Sequence, residues 1–270
     1  MKNIKIQDRN FAHVDYSSDF QISKYFKWDR DVSNINDEIC FVTDDFLSEI
    51  PKNNNHIGWL LEPRGTNPYQ YPYIKDNYQK FKYVLTYDKE LLDVNDKFIF
   101  YPHGGCWIRP GEEKIYDKNQ LVSMISSTKN FGAPGHSFRT EIREKIKFNF
   151  DSFGRGHNPI NYKIDGLKDY MFSITVENSK FDYYFSEKLI DCFMTGTIPI
   201  YWGCPSIGDF FDINGILTFD TIEDLDNLLN TITPELYYSK MDSIKNNFEL
   251  SKKYVLSEDW IYENTKIFKN

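Results

Sequence analysis

Short runs of β-branched and aromatic residues alternate with stretches of helical spacing along most of the chain, the pattern of βαβ units. In the first third, Ile39–Thr43, His56–Leu61, Tyr83–Tyr87 and Phe98–Tyr101 predict strands, with a helix over Tyr73–Phe81. Residues 108–114 break the pattern with charge and a Pro-Gly pair and read as a linker. The alternation then restarts. Strands are expected at Leu121–Ser127, Phe148–Phe153, Phe172–Glu177, Ile198–Trp202 and Gly215–Phe219, and helices at Ser137–Lys147 and Ser186–Thr195. Leu189, Ile190, Phe193 and Met194 give the second helix one apolar face. The last third predicts helices at Thr221–Ile232, Pro234–Tyr254 and Ser257–Phe268, with Thr221 and Ser257 as N-caps; only Thr221, with Asp224, resembles a capping box. The expectation is an α/β fold of two Rossmann-like lobes facing a cleft, residues 1–115 and 116–270, with a helical C-terminus.

Composition narrows the function classes. The 270 residues suffice for one large or two small domains. With 32 Lys+Arg against 40 Asp+Glu, the net charge of −8 argues against a nucleic-acid or anionic-membrane binder. No apolar run approaches the roughly 20 residues of a membrane helix, and Met1–Ile6 runs directly into charges rather than a secretory segment. A soluble protein is predicted. Cys40, Cys106, Cys192 and Cys204 form no CxxC pair, so buried reduced thiols in a cytoplasmic setting are expected, not a zinc ribbon or disulfide scaffold. Only seven of the 32 basic residues are Arg, which makes each a candidate fork for phosphate or carboxylate.

The stretch from Phe172 to Pro205 carries the chemistry. A strand ends at Glu177-Asn178-Ser179, a loop with Asp182, Tyr183 and Tyr184 follows, and a helix opens at Ser186-Glu187-Lys188. Ligands of open α/β sheets bind outside the carboxyl ends of the strands, where a helix N-terminus offers N–H groups to phosphate. Lys188 opposes the helix dipole there, a mismatch that an anionic ligand removes. The spacing equally allows a capping Ser186, a dipole-satisfying Glu187 and a solvated Lys188.

The run from Glu177 to Asp191, continued through Thr197-Ile198-Pro199-Ile200-Tyr201-Trp202-Gly203-Cys204-Pro205-Ser206-Ile207, closely resembles the donor-binding signature of the family 10 glycosyltransferases, the α1,3/4-fucosyltransferases, in their bacterial branch. Asp151–Gly156 and Phe81–Pro102 resemble further elements of that family. The resemblance implies a GT-B fold, a GDP-sugar donor substrate held by the C-terminal lobe, no cofactor, and inverting transfer to a glycan hydroxyl without a metal. By the same resemblance Lys188 meets the donor phosphates and Glu187 the donor hydroxyls. Asn178 and Tyr184 fall on donor-contacting positions. Arg139 matches the pyrophosphate arginine, with Arg143 one turn on as the alternative. Inversion requires a base on the opposite lobe. Glu62, after the apolar strand and before Pro63, resembles the family's Glu-Ser-Pro element with its Ser missing, and pairing with Arg64 or another surface charge is its other reading.

Other motifs are weaker. Asp29-Arg30-Asp31 and Asp224-Leu225-Asp226 have the acid-x-acid form of metal-dependent glycosyltransferases, but neither follows an apolar strand, so no metal is assigned. His103-Gly104-Gly105 reads as a turn that shapes the cleft, and Phe11–Phe26 as an acceptor surface or as core and loop. The rival function is a non-catalytic nucleotide-sugar or glycan binding protein on the same scaffold.

Overall fold

The computed structural model describes residues 1–270 except 10, 12–13, 19, 34–37, 50–54, 131 and 270; three residues of the Phe11–Phe26 stretch thus lie outside the described residues. Its apolar runs form two parallel sheets. The first contains β1 (Lys2–Gln7), β2 (Phe26–Asp29), β3 (Cys40–Thr43), β4 (His56–Trp59), β5 (Tyr83–Thr86) and β6 (Phe98–Phe100), in the order β2-β1-β3-β4-β5-β6. The second contains β7 (Gln120–Ile125), β8 (Asp151–Phe153), β9 (Tyr170–Val176), β10 (Ile198–Trp202) and β11 (Leu217–Thr218), in the order β11-β10-β9-β7-β8. Helices α1 (Gln70–Asn77) and α2 (Lys89–Leu92) belong to the first part of the chain. In the second are α3 (Pro134–Lys145), α4 (Glu187–Met194), α5 (Ile222–Leu229), α6 (Pro234–Ser239), α7 (Met241–Ser251) and α8 (Ser257–Asn264). Strand β9 is buried along its whole length, as expected of a parallel strand covered on both faces.

Most predicted elements are present within a few residues, and the departures have physical causes. Strands β1 and β2 were not predicted. In β1, Ile4 and Ile6 enter the core while Lys5 and Gln7 stay half-buried, and the short, charged alternation hides the strand. Lys5 is accommodated by its Nζ reaching Asp29 at 2.9 Å on the paired β2. The expected single helix Pro234–Tyr254 bends at Lys240 into α6 and α7, which lets Tyr237 and Ile244 both enter the second core. Thr221 forms the capping box with Asp224. Ser257 does not cap α8; Leu256 holds that position and the Ser257 hydroxyl accepts from Tyr101 Oη at 2.6 Å.

The C-terminal helix returns to the first sheet. Ile261 and Ile267 are buried with Ile4, Trp28 and Trp59, while Cys106 and Ile108, the latter the first residue of the expected linker, are buried in the second core. The Glu258 carboxylate of α8 accepts from the backbone N–H and hydroxyl of Ser17, each at 2.6 Å. All four cysteines are buried, unpaired thiols. Among the described residues, no helix is long and apolar enough to cross a membrane.

Burial raises the Glu258 pKa from its ordinary 4.5 to about 6, with the Ser17 bonds opposing the shift. The folded state therefore holds this proton more tightly than the unfolded chain. The stability this contributes is present below pH 4.5 and is lost as pH rises to about 6. Relative to wild type, Glu258→Gln should gain about 2 kcal/mol between pH 4 and pH 7, read from urea midpoints across that range. A pH-independent difference between the two proteins would show that this carboxylate is not buried.

Candidate functional site

The site is built on the carboxyl end of β9. Its next residue, Glu177, is fully buried, and a buried carboxylate needs partners. It accepts from the Ser186 N–H at 2.9 Å and the Ser186 hydroxyl at 2.6 Å, which fastens the start of α4 to the end of β9. Ser186 caps α4, its oxygen facing the Lys188 N–H. The Lys188 ammonium lies 3.0 Å from Ser186 Oγ, 3.2 Å from Glu187 and 3.6 Å from Glu177. Two resident carboxylates thus offset the lysine that opposes the dipole.

A second lysine, which the sequence reading missed, completes this cluster. Lys163 Nζ lies 3.8 Å from Glu187 and 3.5 Å from Asp191, one turn apart on α4. Burial favours protonation of Glu187, but Lys188, Lys163 and His103 outweigh it and hold the carboxyl below its usual range. Burial raises Asp191 to about 6 against the pull of Lys163. Its Oδ1 accepts from the Trp107 N–H at 2.7 Å, so α4 also holds the segment that joins the two sheets.

Arg139 is buried on α3. Its Nε and Nη2 donate to the Val176 carbonyl, and Nη2 also to Asn178 Oδ1 at 3.0 Å. One edge of the fork is therefore used to bind the end of β9. Nη1 has no hydrogen-bond partner among the described residues. Arg143 donates to Ser126 and Thr140.

Two cavities meet at α4. The larger, about 480 Å³, is lined by Arg139, Arg155, Lys163 and Lys188, with Glu187 and Trp107 in the same wall. The smaller, about 190 Å³, is lined by Glu62, His103, Gly104 and Gly105, and again by Glu187 and Trp107. Of the six residues singled out in the sequence, the structure brings Glu62, Arg139, Glu187 and Lys188 onto these adjoining cavities. Asn178 and Tyr184 line neither cavity: Asn178 holds Arg139, and Tyr184 is buried beside Tyr87 and His103. Arg143 does not line the larger cavity, although its partner Ser126 does.

Glu62 is held by its backbone. Its N–H faces the Asp44 carboxylate at 3.3 Å, and its carbonyl accepts from Tyr71 Oη at 2.8 Å. The pairing with Arg64 does not form, because that guanidinium binds Asp88 at 2.6 Å and Glu90 at 2.9 Å. In the two acid-x-acid motifs, Asp29 ends β2 and pairs with Lys5, and Asp224 closes the Thr221 capping box of α5.

Strand β6 leads to His103-Gly104-Gly105, which docks on the start of α4 through Gly104 N–H to the Phe185 carbonyl at 3.0 Å. Burial pushes the His103 pKa down, against the pull of Glu62 and Glu187. Gly104 has φ of +60°, and a Cβ there would lie 2.7 Å from the Tyr254 carbonyl oxygen. Only glycine meets both conditions.

Two parallel sheets, with cavities at the carboxyl edge of the second and at the junction with the first, define a GT-B glycosyltransferase fold. Crystal structures of α1,3-fucosyltransferase with GDP and with GDP-fucose share it, with TM-scores of 0.57 and 0.56 at 15% identity. Each comparison covers 100% of this chain and 92% or 93% of the other. The chain belongs to glycosyltransferase family 10 (fucosyltransferase), whose C-terminal model matches residues 115–254. It is 31% identical over 256 residues to the α-(1,3)-fucosyltransferase FucT of Helicobacter pylori, covering 71% of this chain and 53% of that protein. This chain thus spans about half the length of that relative.

Gly104→Ala tests the junction. Strain at positive φ and the clash with Tyr254 should lower stability by about 1–3 kcal/mol in urea denaturation. An unchanged midpoint would mean that the loop is not fixed against α4 and Tyr254.

Proposed function

We propose that the chain transfers fucose, or a related deoxyhexose, from a GDP-sugar to a glycan hydroxyl, with inversion and without a metal. One observation carries this reading: a cationic cavity and a cavity holding Glu62 share the wall formed by Glu187 and Trp107. Family membership and the GDP-bound and GDP-fucose-bound neighbours support the choice of donor. Residues 1–115 are taken as the acceptor side and 116–270 as the donor side, and the buried thiols support a reducing, cytoplasmic setting.

The chemistry follows from where charge develops. As the bond between the sugar's C1 and the phosphate oxygen breaks, GDP gains negative charge, and fixed cations stabilise it best when no reorganisation is needed. Arg139 Nη1 and the Lys188 ammonium take that role, each charge-assisted bond contributing about 1.5–3 kcal/mol. Glu187, kept ionised by its lysines, faces the donor hydroxyls and the positive charge growing on the ring. Glu62 takes the acceptor proton from the other side, and the acceptor oxygen bonds C1 on the face opposite the departing phosphate.

Calorimetry in EDTA should show GDP binding more tightly than GMP. Lys188→Ala and Arg139→Ala should each weaken GDP by about tenfold or more. Equal affinities for GDP and GMP, or a strict Mn²⁺ requirement, would refute the metal-free clamp.

Glu62→Gln should leave GDP affinity unchanged and reduce transfer by about 10²–10⁴-fold in a glycan acceptor assay. Wild-type protein that binds GDP-fucose but neither transfers nor hydrolyses it would instead mark a binding protein on this scaffold.

A further inference from the structure

The cationic wall accounts for a diphosphate but leaves one feature of the larger cavity unexplained. Tyr162 and Phe20 also line it. Tyr162 is 43% exposed. It is nevertheless fixed. The Arg109 guanidinium, which does not line the cavity, lies over the Tyr162 ring 3.2 Å from its centroid. Phe20 meets the same ring edge-on, with centroids 6.3 Å apart and planes at 68°. Its neighbour Gln21 is tied to the Ile108 carbonyl and to Glu113, each at 2.9 Å. The result is a rigid aromatic corner that keeps ring surface open to the cavity.

A nucleoside diphosphate has two chemically distinct parts, a polyanion and a flat π system. The cavity offers a counterpart to each. Resting on the donor-site reading above, we infer that Tyr162, backed by Arg109 and flanked by Phe20, is the stacking platform for the nucleobase of the donor and a determinant of nucleotide affinity. A ring already held in place loses little freedom when a base settles on it. Because Phe20 comes from the first part of the chain and Tyr162 from the second, the base would contact both.

The test is calorimetry in EDTA with GDP and with inorganic pyrophosphate, on wild type, Tyr162→Leu and Tyr162→Phe. Leucine keeps apolar bulk but removes the π face, so GDP should weaken by about 5–100-fold while pyrophosphate is unaffected. Phenylalanine should restore GDP binding. If Tyr162 only latched the two parts together, Leu would weaken pyrophosphate and GDP alike, and that result overturns the inference. Unchanged GDP affinity in Tyr162→Leu overturns the platform alone, whereas wild type that fails to bind GDP overturns the platform and the donor reading together.

Discussion

The arrangement of the molecule depends on one buried carboxylate. Glu177 has no access to solvent, and leaving such a charge unpaired costs about 3–5 kcal/mol. Its pairing with the N–H and hydroxyl of Ser186 fixes where α4 begins relative to β9. Everything that projects from the first turn of α4 follows from that, including Glu187 and Lys188. The packing around it is equally exacting, since a Cβ on Gly135 at the start of α3 would lie 1.8 Å from the Glu177 carbonyl oxygen. That close approach lets Arg139 grip the Val176 carbonyl and still present Nη1.

The same constraint reconciles a strongly acidic protein with an anionic ligand. The chain carries a net charge of −8, yet Arg139, Arg155, Lys163 and Lys188 line one cavity beside a single lining carboxylate, Glu187. Local charge and its burial govern binding at such a site more than the total does. The lysines also have a resident duty. They keep Glu187 ionised, so a carboxylate persists where the two cavities adjoin and where Glu62 approaches from the first sheet.

The sequence is most informative where local rules act alone. The continuous apolar run of β9, the Ser186 cap and the apolar face of α4 are visible in the letters, and the family resemblance assigned Arg139, Glu187 and Lys188 to the donor side and Glu62 to the opposite lobe. Long-range pairing is what remains hidden. Strand β1 depends on Lys5 finding Asp29, 24 residues away. Lys163 joins the site through carboxylates 24 and 28 residues further on. The return of α8 rests on Glu258 meeting Ser17, 241 residues apart. Ser257 shows the same limit from the other side: its residue type favours a cap, but its hydroxyl is engaged by Tyr101.

A crystal structure of the chain with GDP bound would probe this arrangement most directly. The expected result is a pyrophosphate within hydrogen-bond distance of Arg139 Nη1 and Lys188 Nζ, with Glu177 still holding Ser186. GDP bound away from these cations, or with its phosphates turned toward Glu62, would contradict it.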